Sequence, residues 1–174
     1  MNSLNQQLFL LLNADAQSSA FLLWAGRTLA EWPVVIALLL VTLAVYRQGN
    51  RTRVALRSVF ATALAMGLAL AIRCTFYNPR PFVLGLGRML IEHDATTSFP
   101  SFHATFLFSL ALPLLAQKNT RCTALLILLL GFGIAWARIF VGVHYPADMV
   151  GALAISAIAA VVAGAVFNRP APKP

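Results

Sequence analysis

Three short groups of reactive side chains stand out in this sequence: Arg73-x6-Arg80-Pro81, Pro100-Ser101-Phe102-His103 and Arg138-x5-His144-x3-Asp148. All three interrupt apolar runs, where an ionisable group is costly and is usually kept for function. Arginine presents five donors in a planar fork that stays charged and matches phosphate oxygens, so Arg73, Arg80 and Arg138 read as an anion clamp. Asp148 follows His144 by one helical turn. A carboxylate there takes a hydrogen bond from one ring nitrogen and leaves the other as a lone pair, the arrangement of an oriented nucleophile. His103, when protonated, can hand a proton to a leaving oxygen. The Ser98 to His103 segment opens an apolar span, and Ser101 adds a hydroxyl to the free N–H groups of a helix start, which bind anions. Together these side chains are close to a minimal kit for cleaving a phosphate ester.

Each member has a plainer explanation when taken alone. Arg73 and Arg138 end apolar segments, where long cationic side chains snorkel to the headgroups. Asp148 in a first turn suits the helix dipole, and both histidines could be interfacial. Arg80, between two prolines in a loop, has no such role. What separates the readings is agreement, because three helix ends bring phosphate-handling residues to one face.

Of 174 residues, 60% are hydrophobic and 10% charged, and the mean hydropathy is +0.79. A soluble domain carries about 25% charged residues. An integral membrane protein is therefore expected, with residues 1–174 forming one membrane-embedded domain. The start lacks the basic region and small-residue cleavage site of a secretory signal, so the first apolar segment is expected to be retained. The net charge of +8 points to anionic lipid; nucleic acid is excluded as a partner because the basic residues form no stripe. Cys74 and Cys122 fall near opposite ends of the crossing and have neither disulfide nor metal-ligand spacing.

Spanning takes about 20 apolar residues, which gives five spans over roughly 22–46, 54–73, 101–117, 121–138 and 147–167. In the first, Arg27 and Glu31 lie between Trp24 and Trp32, an interfacial belt, and the apolar run begins near Pro33. Leu4, Leu8, Leu11 and Leu12 form one face of an N-terminal amphipathic helix, short for a sixth span. The expected fold is an all-α, polytopic transmembrane bundle of five to six spans. Arg47, Arg51, Arg53 and Arg57, then Lys118 and Arg121, then Arg169 and Lys173 fall on one side, which the positive-inside rule makes cytoplasmic. The three clusters, the 3 histidines and the 5 acidic residues fall on the other. The expected location is a bacterial plasma membrane, with the chemistry facing the periplasm or exterior. Ala152, Ser156, Ala160 and Gly164 make a small-residue seam for close helix contact. Arg169 to Pro174 reads as a disordered tail. Glu92-His93-Asp94 invites a metal reading, but adjacent side chains diverge, and the lip of a substrate entrance fits better.

The clusters resemble the tripartite signature of the type 2 phosphatidic acid phosphatase superfamily, K-x6-R-P, P-S-G-H and S-R-x5-H-x3-D, in order and spacing over residues 73–148. Arg80-Pro81-Phe82, Ser98-Phe99-Pro100-Ser101, Arg138 through Asp148 and the N-terminal Leu-Asn-Gln-Gln-Leu-Phe segment are similar to the bacitracin-resistance type of undecaprenyl-diphosphate phosphatase. The resemblance implies that His144 attacks phosphorus to give a phosphohistidine, with Asp148 orienting it. It further implies that His103 protonates the leaving oxygen and then activates water. Arg73, Arg80, Arg138, Ser101 and the Phe102 backbone would hold the phosphoryl oxygens, without a metal or other cofactor. The implied substrate is a polyprenyl diphosphate, and the implied role is lipid-carrier recycling for the cell wall. Rival readings are a phosphatase for phosphatidylglycerophosphate or lipid A, a metal-dependent hydrolase or transporter, and a non-catalytic lipid-binding protein. Three positions depart from the pattern: Arg73 for lysine, Phe102 for glycine or aspartate, where the ring narrows the pocket, and Ala137 for serine.

Overall fold

The computed structural model describes residues 3–47 and 51–167, and every regular element among them is helical. The chain runs α1 (Ser3–Leu12), α2 (Ala20–Glu31), α3 (Pro33–Tyr46), α4 (Arg51–Thr75), α5 (Phe102–Leu114), α6 (Arg121–Phe140) and α7 (Pro146–Phe167). Short 3-10 turns at Pro81–Leu84 and Lys118–Thr120 interrupt the connections. The expected tail, with Arg169 and Lys173, lies outside the described residues.

The first expected span is two helices bent by 49°. Pro33 occupies the first turn of α3, where a missing N–H costs nothing, so the apolar helix restarts where the interfacial belt ends. Among the described residues, Thr52–Thr75, Lys118–Phe140 and Pro146–Phe167 are long and apolar enough to cross a membrane, and the bent pair makes a fourth. The third expected span falls short. α5 has 13 residues, a rise of about 20 Å against a hydrocarbon core of about 30 Å. It is instead the central post of the bundle, packed against α3, α4, α6 and α7. Its Ala104, Leu107, Phe108, Ala111 and Leu114 are buried, whereas Leu39, Leu129 and Val161 on outer helices face outward.

Lipid tails are as apolar as leucine, so small residues that let backbones approach hold such a bundle together. Ala61, Ala65 and Ala69 are buried along α4, and Ala152, Ser156, Ala159 and Ala163 along α7. The seam on α7 thus departs from the expected Ala160 and Gly164, which are half-buried. A strict four-residue step drifts off one face of a 3.6-residue helix, and alternating steps of four and three stay on it. Ser156 Oγ donates to the carbonyls of Ala152 (2.8 Å) and Thr105 on α5 (3.1 Å).

The ends of α4 and α6 and the starts of α5 and α7 gather at one end, roofed by the loop after α4. Asn78 O accepts Ser98 N–H at 2.7 Å, and Leu90 N–H reaches Val141 O at 2.9 Å. Gly142 turns the chain after α6 at φ 86°, so close to the Arg88 carbonyl that an added Cβ would lie 2.2 Å from its oxygen. α1 braces this end. Phe9 is buried against Tyr145, ring centroids 5.5 Å apart, and Asn5 Oδ1 accepts Ala147 N–H at 3.0 Å. The Leu4, Leu8, Leu11 and Leu12 face is left exposed, as an interfacial helix requires.

Candidate active site

His144 sits in the turn before α7, 1% exposed, and Asp148 in the first turn of α7 is fully buried. His144 Nδ1 lies 3.0 Å from Asp148 Oδ2, and Nε2 lies 3.2 Å from Arg80 Nη1. Guanidinium only donates and carboxylate only accepts. The proton therefore sits on Nδ1, and Nε2 carries the lone pair. Burial, aided by the Arg80 and Arg138 charges and opposed by Asp148, pulls the His144 pKa down to about 3. The ring is neutral at physiological pH. Asp148 Oδ2 also accepts Tyr145 N–H (2.8 Å) and the Ser98 hydroxyl.

The three arginines converge on the lone-pair side of this ring. Arg80, 2% exposed, donates to Val143 O (2.7 Å) and Thr96 O (3.1 Å). Burial and then the like charges of Arg73 and Arg138 lower its pKa to about 10, which leaves it charged. Arg73 reaches Pro100 O at 3.1 Å, with the Phe102 ring centroid 4.5 Å from Cζ. Arg138 is 3% exposed, and its Nε and Nη2 have no hydrogen-bond partner among the described residues; the buried Ser101 hydroxyl has none either. Among the described residues no carboxylate pairs with any of the three arginines. Buried, unneutralised guanidiniums with idle donors make a site for an anion.

Between them lies a cavity of about 220 Å³ walled by Arg73, Arg80, Phe102, His103, Arg138 and His144. Six of the eight expected site residues thus share one wall, Asp148 sits directly behind His144, and Ser101 stands at the N-cap of α5 beside Phe102. Two further lining residues, His93 and Thr96, were not among the expected site residues. His93 has its ring centroid 6.4 Å from that of His144; Thr96 Oγ1 lies 3.3 Å from both Arg73 and Arg80. Ser98 was also missed. It stands before the helix rather than opening it, and its hydroxyl binds the Asp148 carboxylate behind His144. Ala137 packs into an apolar cluster with Ala14, Ala30 and Phe140.

Residues 54–171 match the PAP2 superfamily. The chain belongs to that superfamily. The match contains all three clusters and leaves out α1 to α3. YbjG of Escherichia coli is 32% identical over 154 residues, 88% of this chain and 77% of that protein. Undecaprenyl-diphosphatase BcrC of Bacillus subtilis is 34% identical over 140 residues, 78% of this chain and 68% of that protein. The crystal structure of Aquifex aeolicus LpxE superposes with a TM-score of 0.77 at 25% identity, covering 93% of this chain and 95% of that one.

Proposed function

We propose that this membrane-embedded lipid phosphatase removes the terminal phosphate of a polyprenyl diphosphate, undecaprenyl diphosphate foremost, through a phosphohistidine at His144. The observation that carries the reading is the fixed tautomer of a neutral His144, whose lone pair faces three arginines that lack acidic partners among the described residues. The terminal phosphoryl group takes the place of Arg80 at Nε2, and Nε2 attacks phosphorus. The bond to the bridging oxygen breaks, and the lipid monophosphate leaves with a proton from His103. His103 then takes a proton from water, which attacks the phosphohistidine, and inorganic phosphate is released as the nitrogen–phosphorus bond breaks. Arg73, Arg80, Arg138, Ser101 and the Phe102 amide hold oxygens whose charge grows in the transition state, where fixed donors lower the barrier most. Names of the undecaprenyl-diphosphatase kind among the relatives support the substrate class.

Arg47, Arg53, Arg57, Lys118 and Arg121 lie toward the end of the bundle opposite the site. With that end cytoplasmic, the site opens outward at headgroup level, where a spent lipid carrier would be recycled. The test is phosphate release by the purified protein from undecaprenyl diphosphate, run beside phosphatidylglycerophosphate and lipid A. His144→Ala is expected to be inactive and chelators without effect. Full turnover in His144→Ala ends the proposal, and a preference for another lipid replaces the substrate.

A further inference from the structure

Phe102, with its neighbour His103, belongs to two adjoining spaces. It walls the phosphate cavity, and it also lines an apolar groove of about 210 Å³ shared with Val34 of α3, Met66 of α4, and His103 and Phe106 of α5. Among the described residues, His103 is the only polar side chain along that groove. The groove thus adjoins the reacting centre, with two consecutive residues common to both linings. On the cavity side, the Phe102 ring carries the Arg73 guanidinium on its face, 4.5 Å from the centroid, an attractive cation–π arrangement.

Resting on the proposed function, we propose that Phe102 determines specificity, selecting a single prenyl chain over a diacylglycerol at the carbons nearest the phosphate. Two physical arguments set the direction. Ester carbonyls drawn into this groove would lose water and meet no donor but His103, a cost for each unpaired polar group. The first isoprene unit is hydrocarbon throughout, and its flat double-bonded carbons lie against an aromatic face with no polar atom to satisfy. A glycine at the same position would open the wall between the two spaces and free the Arg73 fork to swing.

The test compares two diphosphates that differ only in what the phosphate is joined to: farnesyl diphosphate and diacylglycerol diphosphate. The wild-type protein is expected to favour the prenyl substrate in kcat/KM. Phe102→Gly and Phe102→Ala are expected to lower that ratio about tenfold, the scale of one lost aromatic contact. Phe102→Tyr keeps the ring and is expected to keep the ratio. Phe102→Leu keeps an apolar wall but loses the ring face, so it is expected to lower kcat on both substrates several-fold through Arg73 and to lower the ratio by less than Phe102→Gly does. A ratio unchanged within twofold in both Phe102→Gly and Phe102→Ala, while the wild type turns over prenyl diphosphate, overturns this inference alone. Equal losses on both substrates in those variants overturn it too, because they make Phe102 a support for Arg73 only. A wild-type protein inactive on both lipids overturns the function on which the inference rests.

Discussion

Replacing Asp148 by asparagine separates the orientation of His144 from the charge behind it. Oδ2 accepts His144 Nδ1–H (3.0 Å), Tyr145 N–H (2.8 Å) and the Ser98 hydroxyl, while Oδ1 has no partner among the described residues. All three partners at Oδ2 are donors. An asparagine that puts its carbonyl there and its amide at the Oδ1 position keeps all three bonds, and with them the Nδ1–H tautomer. The charge is what it loses. Hydrogen bonds to charged groups contribute about 1.5–3 kcal/mol and neutral ones about 0.5–1.5, and in the proposed reaction only the His144 bond of the three strengthens as Nε2 bonds to phosphorus. A difference of about 1–1.5 kcal/mol in that bond lowers kcat roughly tenfold, with KM unchanged. The amide left without an acceptor costs about 1–3 kcal/mol of stability, a fall of roughly 2–12 °C in Tm for a domain of this size. Asp148→Ala is a different experiment, since it strands three buried donors and its deficit is one of folding. The assay is phosphate release in nanodiscs beside thermal unfolding. A folded Asp148→Asn as inactive as His144→Ala, or one with undiminished kcat, refutes the assignment of the carboxylate as acceptor and charge.

Other expectations follow from the same geometry. Arg138→Met removes a buried cation with idle donors, so its Tm in phosphate-free buffer is expected to rise while kcat/KM falls by on the order of 100–1,000-fold; added phosphate should stabilise the wild type and not the variant. His144, held at about 3 by burial, stays neutral in the folded protein while the unfolded ring takes a proton near pH 6.5. The unfolded state thus binds more protons in that window, and His144 makes stability fall as the pH drops from about 6.5 toward 3; in His144→Gln, pH-dependent unfolding is expected to show a shallower slope. Cys74 and Cys122 are free, exposed and at opposite ends of the bundle. A membrane-impermeant thiol reagent on intact cells is expected to label Cys74, with Cys74→Ala abolishing the signal and Cys122→Ala preserving it; the converse pattern reverses the orientation.

How much of this arrangement the sequence discloses depends on whether a residue's role is local. His144 and Asp148 are four positions apart on one chain segment, so their hydrogen bond follows from helix geometry alone, and the bend at Pro33 follows from the missing N–H of proline. The polar clusters at helix ends were legible because the apolar runs around them make every ionisable residue conspicuous. Ser98 escaped because its partner, Asp148, is 50 positions away and belongs to the start of another helix; a serine two residues before a proline carries no mark of that. Thr96 and His93 are held over the cavity by the long loop after α4, whose path is set by backbone bonds such as Leu90 N–H to Val141 O rather than by any periodicity. The length of α5 was misjudged for a related reason. Hydropathy measures how readily a segment enters lipid, and a helix wrapped by α3, α4, α6 and α7 satisfies the same criterion by entering protein. That burial has a functional consequence. A short central helix starts below the roofing loop, so Ser101 is buried and Phe102 and His103 half-buried beside the ends of α4 and α6. There the arginines meet the buried His144 ring out of bulk water, where charge–phosphate contacts are strongest.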